Sequence, residues 1–357
     1  MKIIHIVGAR PQFVKLAPLY KEIQNKAEQL IIHTGQHYDE KMSKIFFEDL
    51  AIPKPDYNLN INQGSHAYQT AEMMKGIEKI LLDVKECVLV IYGDTNSTLA
   101  GALAASKLEI PIVHIEAGLR SFNRSMPEEV NRILADRISN YLLAPTQTAV
   151  SNLNKEGLAD VTYFTGDIMT DSIRQNIIIA HDKSDVLEKL NQTNNNYYLL
   201  TLHRPYNVDN PEKLVKILSL LNDLNKEVLF PIHPRTRKIL EANLTINLSN
   251  IRLIEPQGYL DFLILQENAI KIITDSGGIQ KEACILKRPC ITLRSETEWV
   301  ETVKEGVNLL VTRIEEGLTQ KIMSFNPVFP SYGIFGEKVS EKMCGIITDI
   351  LRKDNAN

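Results

Sequence analysis

Val88–Ile115 reads VLVIYGDTNSTLAGALAASKLEIPIVHI, and the architecture follows from it. Val88–Tyr92 is apolar without alternation, as expected of a strand covered on both faces. Gly93-Asp-Thr-Asn96 breaks the run with residues that suit turns and helix caps. Ser97–Lys107 is a helical run of small residues, and Ile112–Ile115 is a second apolar strand. Strand, helix, strand in this order is a parallel βαβ unit.

The same alternation extends to both sides. Strands are expected at Ile3–Val7, Leu30–His33, Tyr141–Ala144 and Thr162–Phe164, with helices at Phe13–Ile23, Glu128–Ser139 and Val150–Glu156. The pattern restarts after the polar stretch that ends in Gln192-Thr-Asn-Asn-Asn196. It gives strands at Tyr198–Thr201, Val228–Phe230, Arg252–Ile254, Lys271–Thr274 and Cys290–Leu293. This is an α/β protein with two doubly wound, Rossmann-like domains facing a cleft. We place the domain change near Gly166: residues 1–166 with about 337–357 form the first domain, and 167–336 the second. The amphipathic run Glu337–Arg352 is long enough to return to the first domain.

Length and charge agree with this reading. At roughly 100–200 residues per domain, 357 residues make two domains. Lys plus Arg is 40 and Asp plus Glu is 44, a formal charge of −4. That balance argues against non-specific nucleic-acid binding, which depends on phosphate neutralisation. Cys87, Cys284, Cys290 and Cys344 form no CxxC pair, so they read as reduced, buried thiols rather than metal ligands or disulfides. The chain enters a strand pattern at once, with no signal peptide pattern. No apolar run approaches the roughly 20 residues that span a bilayer. A cytoplasmic protein without a membrane or nucleic-acid partner is expected.

In open α/β sheets, ligands sit beyond the carboxyl ends of strands. After the first strand, Gly8-Ala-Arg-Pro-Gln12 opens a helix bearing Lys15, so Arg10 and Lys15 lie near a helix N-terminus, an anion environment. It is not GxGxxG, so a dinucleotide fingerprint is missing where it belongs. Solvated cations at an ordinary turn would look the same. Asp94 follows Val88–Tyr92, in a place that also suits a helix cap. Glu116 and Arg120 leave Ile112–Ile115 together, open to pairing with each other. Pro127-Glu-Glu129 starts a helix with Asn131 and Arg132, where Glu128 and Arg132 stand at i, i+4. Asp94, Glu116 and Glu128 together, beside Arg10, Lys15 and Arg132, suit proton transfer.

The second half repeats the logic. His203 and Arg204 follow Tyr198–Thr201, and His233 follows Val228–Phe230 with Arg235, Arg237 and Lys238. The two histidines lack local zinc-ligand spacing. Thr274-Asp-Ser-Gly-Gly-Ile-Gln-Lys-Glu282 is the most specific segment. Ser276, Gly277 and Gly278 at a helix start form a phosphate cradle, and Glu282, one turn on, suits ribose hydroxyls. Arg294 lies at the next strand end, ready for a diphosphate.

Together the motifs Gly8–Gln12, His33–Asp39, Gly93–Ala105, Glu116–Asn123, Met126–Asp136, Thr165–Asp171, Thr274–Ala283 and Arg294–Glu298 resemble the non-hydrolysing UDP-N-acetylglucosamine 2-epimerases. The likeness runs along nearly the whole chain in order. It implies the glycosyltransferase-B architecture, a homodimer, a UDP-sugar substrate, no metal, no other cofactor, and a place in surface-polysaccharide precursor synthesis. It implies removal of the C2 proton, departure of UDP from C1, a 2-acetamidoglucal-type intermediate, and re-addition to give the C2 epimer. By this resemblance Asp94, Glu116, Glu128 and His203 are acid/base or sugar-contact residues, with Arg10, Lys15 and Arg132 stabilising negative charge. Ser276, Gly277, Gly278 and Arg294 hold the diphosphate, Glu282 the ribose, and Tyr259 and Phe262 line the uracil; His233 belongs to the binding set.

Some residues depart from the pattern. Members acting on UDP-N-acetylglucosamine commonly carry Glu where Gln12 stands and Arg-Pro where Trp299-Val300 stands. Gln12-Phe13, Tyr38-Asp39 and Trp299 look more like the branch acting on UDP-2,3-diacetamido-2,3-dideoxyglucuronate. Tyr38 and Tyr68 replace basic residues of an activating substrate site, so that regulation is not carried over, although Gln69, Arg204 and His233 fit part of it. A glycosyltransferase of the same architecture would share the nucleotide half without needing grouped acids in the first domain. A nucleotide-sugar sensor would keep the cradle and lose the acids. Hydrolysing relatives carry altered N-terminal motifs not seen in this chain.

Overall fold

Cys87–Tyr92 is a strand buried at every position in a computed structural model of the protein, which describes residues 1–36, 52–243 and 248–354. It belongs to the first of two units, Met1–Ser172 with Phe335–Asn357; the second is Ile173–Ile334. In chain order the first unit's strands are β1 Lys2–Val7, β2 Gln29–His33, β3 Tyr57–Asn58, β4 Cys87–Tyr92, β5 Ile112–Ile115, β6 Tyr141–Ala144 and β7 Thr162–Phe164. All pair in parallel, in the order β3-β2-β1-β4-β5-β6-β7. The order reverses between β1 and β4, which puts the crevice of a doubly wound sheet at their carboxyl ends.

Composition explains the packing around β4. The helix Asn96–Lys107 lies between the helices His66–Val84 and Pro127–Ile138. Ala and Gly let it approach the sheet closely: a Cβ on Gly101 would stand 3.0 Å from Ile6. Ile4, Ile6, Ile32, Leu89 and Ile91 fill the sheet side of this core, and Met73 and Ile77 the helix side. Removing such side chains from water contributes about 1.5–3 kcal/mol each.

The second unit has β8 Tyr197–Thr201, β9 Glu227–Pro231, β10 Ile251–Ile254, β11 Ile272–Thr274, β12 Cys290–Thr292 and β13 Asn308–Leu310, all parallel, in the order β10-β9-β8-β11-β12-β13. Its switch point lies between β8 and β11. Leu200, Phe230, Ile273 and Ile291 build the core under the helix Pro211–Asn222, which contributes Leu214, Ile217, Leu218 and Leu221.

Two strands were not anticipated. β3 has two residues and β13 three, too short to display a period. The unit division falls inside the helix Met169–Lys183, beyond Gly166, and at Phe335 rather than 337. Hydrogen bonds account for this. Asp167 N donates to Phe335 O at 2.8 Å, and Ser172 Oγ to Val14 O at 2.8 Å. Asp171 Oδ2 accepts from Ser340 N at 2.7 Å and Ser340 Oγ at 2.6 Å. The last helix, Val339–Asp354, packs on Arg10–Ile23 of the same unit. The cysteines are free and buried; burial pushes the thiols of Cys87 to about 11 and of Cys284 and Cys290 to about 12. Among the described residues, no helix is long and apolar enough to cross a membrane.

Candidate functional site

In the first unit the candidate residues gather where β1, β4 and β5 end. Lys15, one turn into the helix Arg10–Ile23, pairs with Glu116 just past β5. Arg132, on the helix Pro127–Ile138, pairs with Asp94 just past β4. Gly93 lies against the first pair: a Cβ there would lie 3.1 Å from Lys15 Nζ and 3.2 Å from Glu116 Oε2. The glycine also has φ +63°, a conformation that side chains disfavour. Glu116 itself adopts φ +71°. A non-glycine residue held there is strained, and the carboxylate it carries pairs with Lys15.

The surrounding hydrogen bonds fix these groups. Glu129, not Glu128, reaches Arg132, at 2.6 Å. Its carboxylate also accepts from Ser121 N at 2.9 Å and Phe122 N at 2.8 Å. Burial would raise the Glu129 carboxyl, yet these N–H groups and Arg132 hold it below its ordinary range. Burial would likewise lower the Arg132 guanidinium, but Asp94 and Glu129 hold it above its ordinary value. Glu128 is exposed on the first helical turn. Asn131 Nδ2 donates to Asp94 O at 3.0 Å and to Asn96 Oδ1 at 3.2 Å.

A second layer lies behind. Arg120 does not meet Glu116; it pairs with Asp136 at 2.7 Å and with Glu156 at 2.7 Å. His114 Nδ1 lies 2.7 Å from Asp136 Oδ1, and its Nε2 2.7 Å from Gly93 O. Burial would raise the Asp136 carboxyl, but His114 and Arg120 hold it below the usual carboxylate range. This network supports the Gly93–Asp94 turn from beneath. Gln12 closes the other side. Its Oε1 accepts from Gly8 N at 2.8 Å and Ala9 N at 3.0 Å, and its Nε2 donates to Tyr92 O at 2.9 Å and Thr98 Oγ1 at 3.1 Å. Arg10 is exposed at the first residue of its helix. Tyr38 and Asp39 lie outside the described residues, and Tyr68 is exposed.

In the second unit, residues collect where β8, β11 and β12 end. Asp275, which sequence reasoning passed over inside its own motif, is the hub. It is 0% exposed. It accepts from His203 N at 3.1 Å, Arg204 N at 3.1 Å and Asn207 Nδ2 at 3.0 Å, and lies 3.1 Å from His203 Nδ1. Burial would raise its carboxyl, but the bonds from His203 and Asn207 lower it below the usual range. A polar residue directly after an apolar strand was the available signal.

The cradle follows. Ser276 precedes the helix Gly277–Ile285, and a Cβ on Gly277 would collide with the Glu298 carboxylate. Glu298 pairs with the buried Arg294 at 2.8 Å. A Cβ on Gly278 would have 4.0 Å to its nearest neighbour, so this backbone is open to approach. Glu282 accepts from Gln266 Nε2 at 2.6 Å. Tyr259 is buried and Phe262 half-buried on the helix Tyr259–Asn268. Trp299 is buried beneath Lys281, whose Nζ lies 4.2 Å from the ring centroid. His233 is exposed, its Nδ1 accepting from Arg235 N at 3.2 Å. A pocket of about 540 Å³ opens beside Arg294, lined also by Tyr206, Asn207, Lys213 and Arg313. Among the described residues no group of His, Cys, Asp and Glu is placed to hold a metal ion.

The sequence profile of the UDP-N-acetylglucosamine 2-epimerase family matches residues 21–328. The chain is 53% identical over 343 residues to the UDP-N-acetylglucosamine 2-epimerase homolog of Methanococcus maripaludis, spanning 94% of this chain and 96% of that relative. It is 47% identical over 319 residues to the UDP-2,3-diacetamido-2,3-dideoxy-D-glucuronate 2-epimerase of Pseudomonas aeruginosa, spanning 87% and 88%. The crystal structure of Methanocaldococcus jannaschii UDP-GlcNAc 2-epimerase in complex with UDP-GlcNAc and UDP resembles it with a TM-score of 0.86 and 47% identity, over 98% of this chain and 100% of that one. With paired acids at the strand ends of one sheet, a glycine cradle in the other and relatives along nearly its whole length, the chain belongs to the UDP-N-acetylglucosamine 2-epimerase family of isomerases, on a two-domain α/β fold of glycosyltransferase-B type.

Proposed function

We propose that the protein is a non-hydrolysing 2-epimerase of a UDP-N-acetylglucosamine-type nucleotide sugar, forming the UDP-N-acetylmannosamine-type epimer by elimination and re-addition of UDP. The observation that carries this reading is the pair of ion-paired carboxylates at neighbouring strand ends, Asp94 with Arg132 and Glu116 with Lys15. A base takes the C2 proton as the C1–O bond to UDP breaks and C1=C2 forms. Re-protonation on the other face, with return of the UDP oxygen to C1, gives the epimer. Two faces need more than one acid/base group, which Asp94, Glu116, Glu128 and His203 supply. Lys15, Arg132 and Arg10 offset developing negative charge. Ser276, Gly277, Gly278 and Arg294 bind the diphosphate, Glu282 the ribose, and Tyr259, Phe262 and His233 complete the nucleotide set. The cycle is redox-neutral. A homodimer, a cytoplasmic location and supply of surface-polysaccharide precursors belong to the same reading.

A second reading is the same C2 chemistry on UDP-2,3-diacetamido-2,3-dideoxyglucuronate, favoured by the 47% identity to the Pseudomonas aeruginosa enzyme. Gln12 adds little to it, because its amide is used up inside the first unit. Incubation in D₂O with each sugar nucleotide tests both. Deuterium at C2 with the UDP-sugar recovered supports elimination and re-addition, and the substrate that exchanges identifies the branch. Free sugar as the main product, or glycosylation of an acceptor without C2 exchange, would overturn the proposal.

A further inference from the structure

Asp275 is a buried carboxylate that serves no contact of its own with solvent, yet gathers donors from the end of β8. Its Oδ2 is taken by Arg204 N at 3.1 Å and Asn207 Nδ2 at 3.0 Å. Its Oδ1 faces His203 twice, at the backbone N at 3.1 Å and at ring Nδ1 at 3.1 Å. An ionised carboxylate only accepts, so its presence 3.1 Å from Nδ1 favours a proton on that nitrogen over a lone pair. A neutral imidazole has one N–H, and spending it on Asp275 leaves Nε2 as the nitrogen with a lone pair. The His203 side chain is 52% exposed, so one edge of the ring faces Asp275 while much of the rest is open.

We propose that Asp275 is a positioning residue that holds His203 in the Nδ1–H tautomer and presents Nε2 as the proton acceptor toward substrate. The role of His203 in the reaction rests on the function proposed above; the tautomer does not. Asn207 extends the support, because its Nδ2 also donates to Leu293 O at 3.1 Å, next to Arg294. A loop tie alone would need only an acceptor. The charged, acceptor-only group is what selects the tautomer, since an amide in its place would offer N–H toward Nδ1 and turn the ring's proton to Nε2.

The test is two-bond ¹H–¹⁵N correlation on the full chain with ¹⁵N-labelled histidine, the His203 signal being assigned by its disappearance in His203→Gln. We expect the Nδ1–H pattern in the wild type and the Nε2–H pattern in Asp275→Asn. C2 deuterium exchange in that variant is expected to lose about 100-fold or more in kcat, with UDP affinity by calorimetry changed less than about threefold. An Nε2–H pattern in the wild type overturns the proposal without any variant. So does an inverted tautomer with undiminished kcat, or a loss confined to UDP affinity and KM. If Asp275→Asn fails to fold, the wild-type spectrum still decides the tautomer. Absence of exchange with either sugar in the wild type would count against the epimerase reading and leave the tautomer assignment standing.

Discussion

Asp94 and Gln12 show how differently two polar residues at neighbouring positions behave. Asp94 keeps an exposed edge and a charged partner in Arg132, so Asp94→Asn keeps the shape and loses the charge. We expect this variant to bind UDP normally and to lose most C2 deuterium exchange; normal exchange would remove Asp94 from the acid/base set. Gln12 is spent on the backbone of its own unit. Gln12→Met leaves buried N–H and C=O groups without partners and should lower stability by about 1–3 kcal/mol, read from urea midpoints. The ratio of exchange rates on the two candidate sugars should not move; a changed ratio would make Gln12 a reader of the sugar after all. Residue type and strand-end placement made Asp94, Glu116 and Arg132 legible. Which glutamate meets Arg132 was not, because Glu128 and Glu129 differ only in which face of the helix they occupy, and the inward face belongs to Glu129. Asp275 stood in plain view, but its value lies in donors from β8, distant in sequence.

At the scale of elements, two glycines at helix starts allow opposite forecasts. A Cβ on Gly8 would collide with the Thr34 and Ser97 hydroxyls, which sit on short, buried side chains that cannot swing away. Gly8→Ala should therefore destabilise by about 1–3 kcal/mol, as overpacking does. On Gly277 the obstacle is the far end of Glu298, a longer side chain. Gly277→Ala should unfold at nearly the wild-type urea concentration but weaken UDP binding, because Glu298 and its partner Arg294 must shift. Equal destabilisation by both variants would contradict this. Every expected strand falls within one residue of its observed ends, whereas the helix expected at Phe13–Ile23 begins three residues earlier, at Arg10, and the helices His66–Val84 and Pro211–Asn222 were not delimited from sequence. Nor were β3 and β13, since strand pairing rather than pattern defines them.

Across the whole molecule, acid should act first through neutral histidines. Burial holds His5 down to about 4, against a partial upward pull from Gln29, and burial holds His33 down to about 4. In the unfolded chain an imidazole takes up its proton near pH 6.5. Stability is therefore intact above that value, falls as pH drops toward about 4, and levels below it, each histidine removing up to about 3 kcal/mol. The depressed carboxyls of Asp136 and Asp275 act in a lower window: their contribution is intact above about pH 4 and lost as pH falls through their folded values. A urea midpoint equal at about pH 8 and about pH 5 would refute the histidine account. The α/β class and the doubled architecture were legible because buried parallel strands repeat a strong signal. The point of division was not, because the helix Met169–Lys183 runs through it without a break in pattern.

The first unit is interrupted: Met1–Ser172 is completed only by Phe335–Asn357. On the ribosome this reverses the usual order of maturation. Asp167 and Asp171 wait for Phe335 and Ser340, and Glu22 O waits for the Cys344 thiol, while every strand of the second sheet has already emerged. The part of the chain made first is thus finished last. A nascent chain arrested after Ile334 should yield a protease-resistant second unit and a first unit that is still cut, and release of the remaining residues should protect it.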